Sequence, residues 1–137
     1  MFELTIKDTV YPFNFGIGFV RDISKKQQAK NEEGVLVDVG LQYAVLNLVD
    51  EDPIEVVNIL ELANKTEKPR VNKKDLEDYI QDEDTDLEAL CKDILDFFAS
   101  HNATKKKTLA ALDFAAIQMA KIEKEKAAAL AELEKTE

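Results

Sequence analysis

Several residue types are scarce here: among 137 residues there are one Cys, one His, four Gly, three Pro and no Trp. The lone Cys91 excludes an internal disulfide, so the chain is expected to be intracellular or indifferent to redox state. So little Gly and Pro excludes collagenous and low-complexity classes and leaves a helix-leaning, globular composition. Long apolar runs are missing too. The most apolar stretch, Val35 to Val49, is interrupted by Asp38, Gln42 and Asn47, short of the roughly 20 apolar residues that a membrane span needs. Met1 to Lys7 alternates polar and apolar residues and does not read as a secretory signal. Positive charge is also in deficit, with 18 Lys+Arg against 28 Asp+Glu and a net charge of −10. That argues against a nucleic-acid binder reading phosphates through a basic face. Neither a membrane nor a nucleic acid is expected as a partner.

What is present begins with period-two alternation. Phe2, Leu4 and Ile6 alternate with Glu3, Thr5 and Lys7, and after Asp8-Thr9 an aromatic, extended pattern resumes through Phe15. These two runs predict a β-hairpin turning at Asp8-Thr9. Gly16-Ile17-Gly18 reverses the chain into a helix over Phe19–Lys30, followed by an Asn31–Gly34 turn. A second helix is expected from about Val37 to Val49, with Val39, Tyr43, Leu46 and Val49 on one face. Asp52-Pro53 supplies a cap and a first-turn proline for a helix to about Asn64, with Ile54, Val57, Leu60 and Leu62 inward. Asn72 caps Lys73–Gln81, with Leu76, Tyr79 and Ile80 inward. Thr85-Asp86-Leu87-Glu88 reads as a capping box for a helix carrying Leu87, Leu90, Cys91, Ile94, Leu95 and Phe98 on one face, stopped at a left-handed Asn102.

Beyond Lys105-Lys106-Lys107 the chain contains neither Gly nor Pro and is rich in Ala, Leu, Glu and Lys. Leu109, Leu112, Ala116 and Met119 open a heptad-like seam that resumes at Leu130 and Leu133, with Glu123 and Lys126 between. That is too few good heptads for a coiled coil on its own account. The predicted fold is mainly α (α+β): an N-terminal β-hairpin packed on a bundle of about five helices, with a long C-terminal amphipathic helix. The division expected is a hairpin-plus-helical body over 1–104 and a long Ala-rich interaction or oligomerisation helix over 105–137. Charge follows that boundary. The helix holds seven Lys and six acids, whereas Asp75 to Asp96 alone holds ten acids and one base, Lys92.

No residue set converges on catalysis. Cys91 lies mid-face on an apolar helix, some ten residues from His101, or roughly 15 Å along a helix, so a Cys–His nucleophile is disfavoured. His101 is better placed to meet carbonyls at a helix end. Asp82, Asp84 and Asp86 alternate as calcium ligands do but lack the central Gly and the terminal bidentate Glu of an EF-hand loop. Gly16-x-Gly18 lacks the further Gly and Lys of a phosphate loop. No cofactor and no metal are expected. The remaining candidate is a partner-binding face on the last helix, made of Leu109, Leu112, Phe114, Ala116, Ile117, Met119 and Ile122, continued at Leu130 and Leu133. It can pack on the body as one more core helix or serve helix-in-groove recognition.

The order of pieces is also familiar: Phe2-Glu3-Leu4-Thr5-Ile6, then Phe13-Asn14-Phe15-Gly16, later Asn72-Lys73-Lys74-Asp75-Leu76-Glu77-Asp78-Tyr79-Ile80, Leu87 to Phe98, and Ser100-His101-Asn102-Ala103-Thr104-Lys105-Lys106-Lys107. Over residues 1–108 this resembles the tail assembly chaperones of long-tailed phages and prophages of Gram-positive bacteria. The resemblance implies a non-enzymatic protein of the host cytoplasm, absent from the finished virion. Its partner would be the tape measure protein, kept soluble while tail tube subunits polymerise around it. It also implies, in many members, a longer frameshifted product that recruits the tail tube protein; self-association into homo-oligomers is expected through the last helix. An adenine-rich codon run for Lys105–Lys107 would suit such a frameshift. A different class also fits the composition: an acidic helical adaptor or inhibitor binding a basic host protein through the Asp75–Asp96 surface.

Overall fold

The computed structural model describes residues 1–135, so 136 and 137 of the expected 105–137 helix lie outside the described residues. The chain opens with strands β1 (Phe2–Ile6) and β2 (Thr9–Phe13), paired antiparallel with Phe2 opposite Phe13 and Ile6 opposite Thr9. The turn is Lys7-Asp8 rather than Asp8-Thr9. Both turn residues have positive φ, 51° and 67°, as a two-residue hairpin loop matching the strand twist requires. A shift of one residue flips a strand's faces, and this register puts Ile6 and Phe13 into the core.

Helix α1 (Ile17–Ser24) stops before Lys30. Gln28–Lys30 is instead a strand, β3, paired antiparallel with β4 (Leu36–Asp38) around the Asn31–Gly34 turn. After Ile23 no apolar stripe remains to hold a helix down, so good helix formers yield to the turn. The Asn31 side chain accepts the backbone N–H groups of Glu33 and Val35, each at 3.0 Å, and Gly34 takes φ +78°. Helix α2 (Gly40–Val49) consequently starts later than Val37. It buries Leu41, Ala44, Val45 and Leu48, whereas Tyr43 and Val49 of the expected face are exposed. Two apolar phases compete on this helix, and Gly40 decides between them. A Cβ there would sit 1.8 Å from the Ile23 carbonyl oxygen, so the Gly40 side lies directly on α1.

Helix α3 (Pro53–Asn64) is capped as expected: the Asp52 carboxylate accepts from Ile54 N and Glu55 N. Its buried face is Val56, Val57, Ile59, Leu60 and Ala63, and Ile54 is 71% exposed instead of inward. Helix α4 (Lys73–Gln81) has the bounds and cap read from sequence, with Asn72 accepting from Asp75 N at 2.8 Å. Helix α5 (Leu87–Ser100) is capped by Asp86, which accepts from Ala89 N. Thr85 is not the cap, because its hydroxyl donates to the Tyr79 carbonyl at 2.6 Å. The core face of α5 is the one expected. Its end differs: His101 is extended, and Asn102 is not among the residues at positive φ. Helix α6 (Lys105–Lys135) completes the chain.

One hydrophobic core joins the β1–β2 hairpin and helices α1 to α6, from Ile6 to Ala111, and takes in no residue of β3 or β4. Phe15 meets Phe2, Phe19, Phe97 and Phe98 edge-on at centroid distances of 5.0 to 5.6 Å, tying β1, α1 and α5 together. Asn64, fully buried, donates to the carbonyls of Pro12 and Pro69 and accepts from Val71 N. A single amide thereby fastens the hairpin and the 65–72 loop to α3.

Candidate interaction surface

Helix α6 has 31 residues and is about 46 Å long. Its docking starts at the α5–α6 turn, where the Thr104 hydroxyl donates to the Phe98 carbonyl at 2.7 Å and Thr108 N donates to Thr104 O. The first turn is Lys105-Lys106-Lys107, three cations at the positive pole of a helix dipole. Local preference does not favour a helix start there, so packing against α2 and α5 must hold it. Thr108 and Ala111 are buried, and Leu112 packs against the core. From Ala116 onward every described residue is exposed.

The structure separates the candidate residues. Leu112 joins the body. Leu109, Phe114, Ala116, Ile117, Met119, Ile122, Leu130 and Leu133 are exposed, Ile117 by 64%. The docked stripe is Thr108, Ala111, Leu112 and Ala115, which is one residue out of phase with a seam through Leu109 and Ala116. In helical phase it continues as Met119, Ile122, Lys126, Ala129 and Leu133. Ile122 thus takes the place that Glu123 held in the expected seam, leaving Lys126 as the polar position. Phe114 and Ile117 project from the side turned away from this stripe, so apolar surface is distributed around α6 rather than gathered on one face.

The alternative chemistries have structural occupations. Cys91 is 2% exposed, and burial, reinforced by the nearby Glu51 carboxylate, pushes its thiol up to about 11. Such a thiol is a poor nucleophile at neutral pH. His101 stacks on Phe97 with ring centroids 3.7 Å apart, and its Nδ1 lies 2.8 Å from the Phe97 carbonyl. Asp82 accepts from Asp84 N at 2.9 Å, a turn contact, and Asp86 caps α5. The Gly16 N–H is taken by the Asn14 side chain at 2.9 Å. Among the described residues no group of three or more His, Cys, Asp or Glu is arranged to hold a metal ion, and no helix is long and apolar enough to cross a membrane.

Two further surface features were not anticipated. Pro53, Ile54, Val57 and Ile80 line an apolar groove between α3 and α4. Beside it, Lys26, Lys65, Arg70 and Lys73 converge on a concavity against one carboxylate, Glu61. The signal for the second was present in sequence, since Lys65, Lys68, Arg70, Lys73 and Lys74 fall within ten residues of an acidic chain. What sequence alone did not supply was the proximity of Lys26 at the end of α1.

Compared with known proteins, the chain matches no curated protein and no solved structure. A family model described as "Phage tail assembly chaperone protein, TAC" matches residues 3–111. That span runs from β1 through the docked start of α6 and ends at Ala111, the last buried hydrophobic residue among those described. It covers most of the chain and the whole of the packed core, so the chain belongs to the phage tail assembly chaperone family.

Proposed function

We propose that this tail assembly chaperone acts without catalysis, in the host cytoplasm, by binding the tape measure protein through the exposed part of α6 and keeping it soluble until tail tube subunits enclose it. The observation that carries this reading is the apolar surface of α6 beyond Leu112, including Phe114, Ile117, Met119 and Ile122, which the chain's own body leaves uncovered. A long helical client needs apolar contact that is adaptable, and Met and Ala suit that need. The acidic body then keeps the complex soluble. The same helix also supports self-association into homo-oligomers. Recruitment of the tail tube protein belongs, in this reading, to a longer frameshifted product, and the chaperone leaves before the virion is complete.

The test is co-expression of tape measure protein with the full chain or with a chain ending at Leu112, which retains the docked turns. The shortened chain is expected to melt cooperatively near the full chain's temperature while the tape measure protein precipitates. Equal solubility of the tape measure protein with both chains would remove α6 from the client interface. A slippery heptamer in the gene, with a longer product in mass spectra, tests the frameshift separately.

A further inference from the structure

Charge is segregated within the body itself. Lys26 after α1, Lys65 after α3, Arg70 in the following loop and Lys73 at the start of α4 line a concavity of about 410 Å³ whose one carboxylate is Glu61. Lys65 reaches Asp22 at 3.7 Å, an exposed and weak pair. Arg70 donates to the Lys65 carbonyl. Among the described residues Lys26, Arg70 and Lys73 have no carboxylate within ion-pair distance. Gathering four cations in one hollow raises the local potential and calls for a counter-charge, and this in a chain of net charge −10.

The missing counter-charge is carried elsewhere on the same chain. The turn between α4 and α5 presents Glu83 and Asp84, and the first turn of α5 adds Glu88. All three are exposed, and none is ion-paired among the described residues. Lys73 and this turn lie at opposite ends of α4, about 13 Å apart along its axis. The rigid helix between them keeps the acidic turn from folding into its own chain's pocket. We propose that the pocket formed by Lys26, Lys65, Arg70 and Lys73 receives the acidic α4–α5 turn of a second copy of this chain. Because donor and acceptor patches differ, the contact is head-to-tail: each added copy leaves one pocket and one acidic turn free, which extends into a ring or a helical array. The proposal rests on the self-association reading above, and adds a polar interface to the apolar one on α6.

Sedimentation of the full chain tests it. The dissociation constant should weaken by at least about tenfold between about 50 mM and about 500 mM salt, since the contact is electrostatic. A triple variant Lys26→Glu, Arg70→Glu, Lys73→Glu should lose this salt-sensitive association, and so should Glu83→Lys, Asp84→Lys, Glu88→Lys. Mixed together, the two variants should re-associate, because each supplies the charge the other now lacks. Circular dichroism verifies folding, and the neutral pair Arg70→Gln, Lys73→Gln replaces the first variant if it unfolds. Undiminished salt-sensitive association of either reversed variant, or a mixture that regains none of it, overturns the pocket and leaves association through α6 standing. A strict monomer at every salt concentration overturns both.

Discussion

The first turns of α6 hold Lys, Thr, Ala and Leu, and the turns that follow carry larger apolar residues, Phe114, Ile117, Met119 and Ile122, yet the first stretch is core and the second is surface. Thr108, Ala111 and Leu112 are packed against the body; Ile117, Met119 and Ile122, in the same unbroken helix, are exposed. The difference lies in what surrounds them, because α2 and α5 reach no farther along the helix. The family match also ends at Ala111. The matched span is the packed unit, and among the described residues the projecting helix is held to the body through its docked end.

Truncating a large side chain in each stretch should break or confirm that contrast most sharply. Phe98, fully buried among Phe15, Phe19 and the Thr104 contact, should cost about 4 kcal/mol as Phe98→Ala in urea unfolding. Ile117→Ala should cost less than about 0.5 kcal/mol. A loss above about 1 kcal/mol for Ile117→Ala, at a dilution where the chain is monomeric, would mean that the outer turns pack on the body after all.

Next in size is the polar fastening of the body, which has no counterpart on α6. Asn64→Ala removes an amide that serves three backbone partners and strands the Val71 N–H and two carbonyls in a buried site. About 2 to 3 kcal/mol of stability should go with it, read from the same urea curves. If the loss is only that of a surface substitution, water replaces the amide and the 65–72 loop is less buried than it looks.

How far these features were legible in the sequence follows from whether local chemistry or tertiary contact decides them. The Asp52-Pro53 and Asn72 starts, the α5 core face and the long Ala-rich helix were readable because caps and a single strong periodicity leave one solution. The β3–β4 hairpin was not, since Lys25, Lys26 and Gln27 are good helix formers and only the Asn31–Gly34 turn opposes them. The phase of α2 was misread because two apolar stripes were on offer, and the contact of Gly40 with Ile23, seventeen residues away in sequence, selects the other one. The same ambiguity moved the α6 seam by one residue, from Leu109 to Thr108. For the interaction surface, residue type could nominate Phe114, Ile117 and Met119, but whether they faced a core or solvent depended on where α2 and α5 end. The basic pocket depends on a tertiary meeting of α1 with the 65–73 segment.

A smaller change tests how tightly the docked turns are seated. Thr108 is fully buried, and its hydroxyl, like the side-chain oxygen of Gln42, has no hydrogen-bond partner among the described residues. A buried hydroxyl without a partner costs stability that a methyl group of the same shape does not. Thr108→Val should therefore raise stability by about 1 kcal/mol in urea unfolding. A destabilised Thr108→Val would show that the hydroxyl is satisfied in solution, for example by a water shared with Gln42.

The smallest expected effect concerns the exposed pairing that joins the hairpin turn to α4. Lys7 Nζ lies 2.6 Å from Asp75 and 3.2 Å from Asp78. The hydrogen bond from Lys7 holds the Asp78 carboxyl below its ordinary 3.8, and bonds to Asp75 first and Asp78 second hold the Lys7 ammonium above 10.5. A depressed carboxyl stabilises the fold above its unfolded value and stops doing so as pH falls through the lowered one. A raised ammonium stabilises below its unfolded value and stops as pH rises through the raised one. The advantage of wild type over Lys7→Gln should therefore be present across neutral pH and fade at both extremes. Because the Lys7 end of the pairing is solvated and both carboxylates reach solvent, it should be a small difference in melting temperature that shrinks further in high salt. If the gap persisted unchanged at about pH 2, where the carboxylates are protonated, Lys7 would be acting through its apolar stem against α4. The hairpin would then be fastened there by packing, as it already is at Ile6 and Phe13, and not by charge.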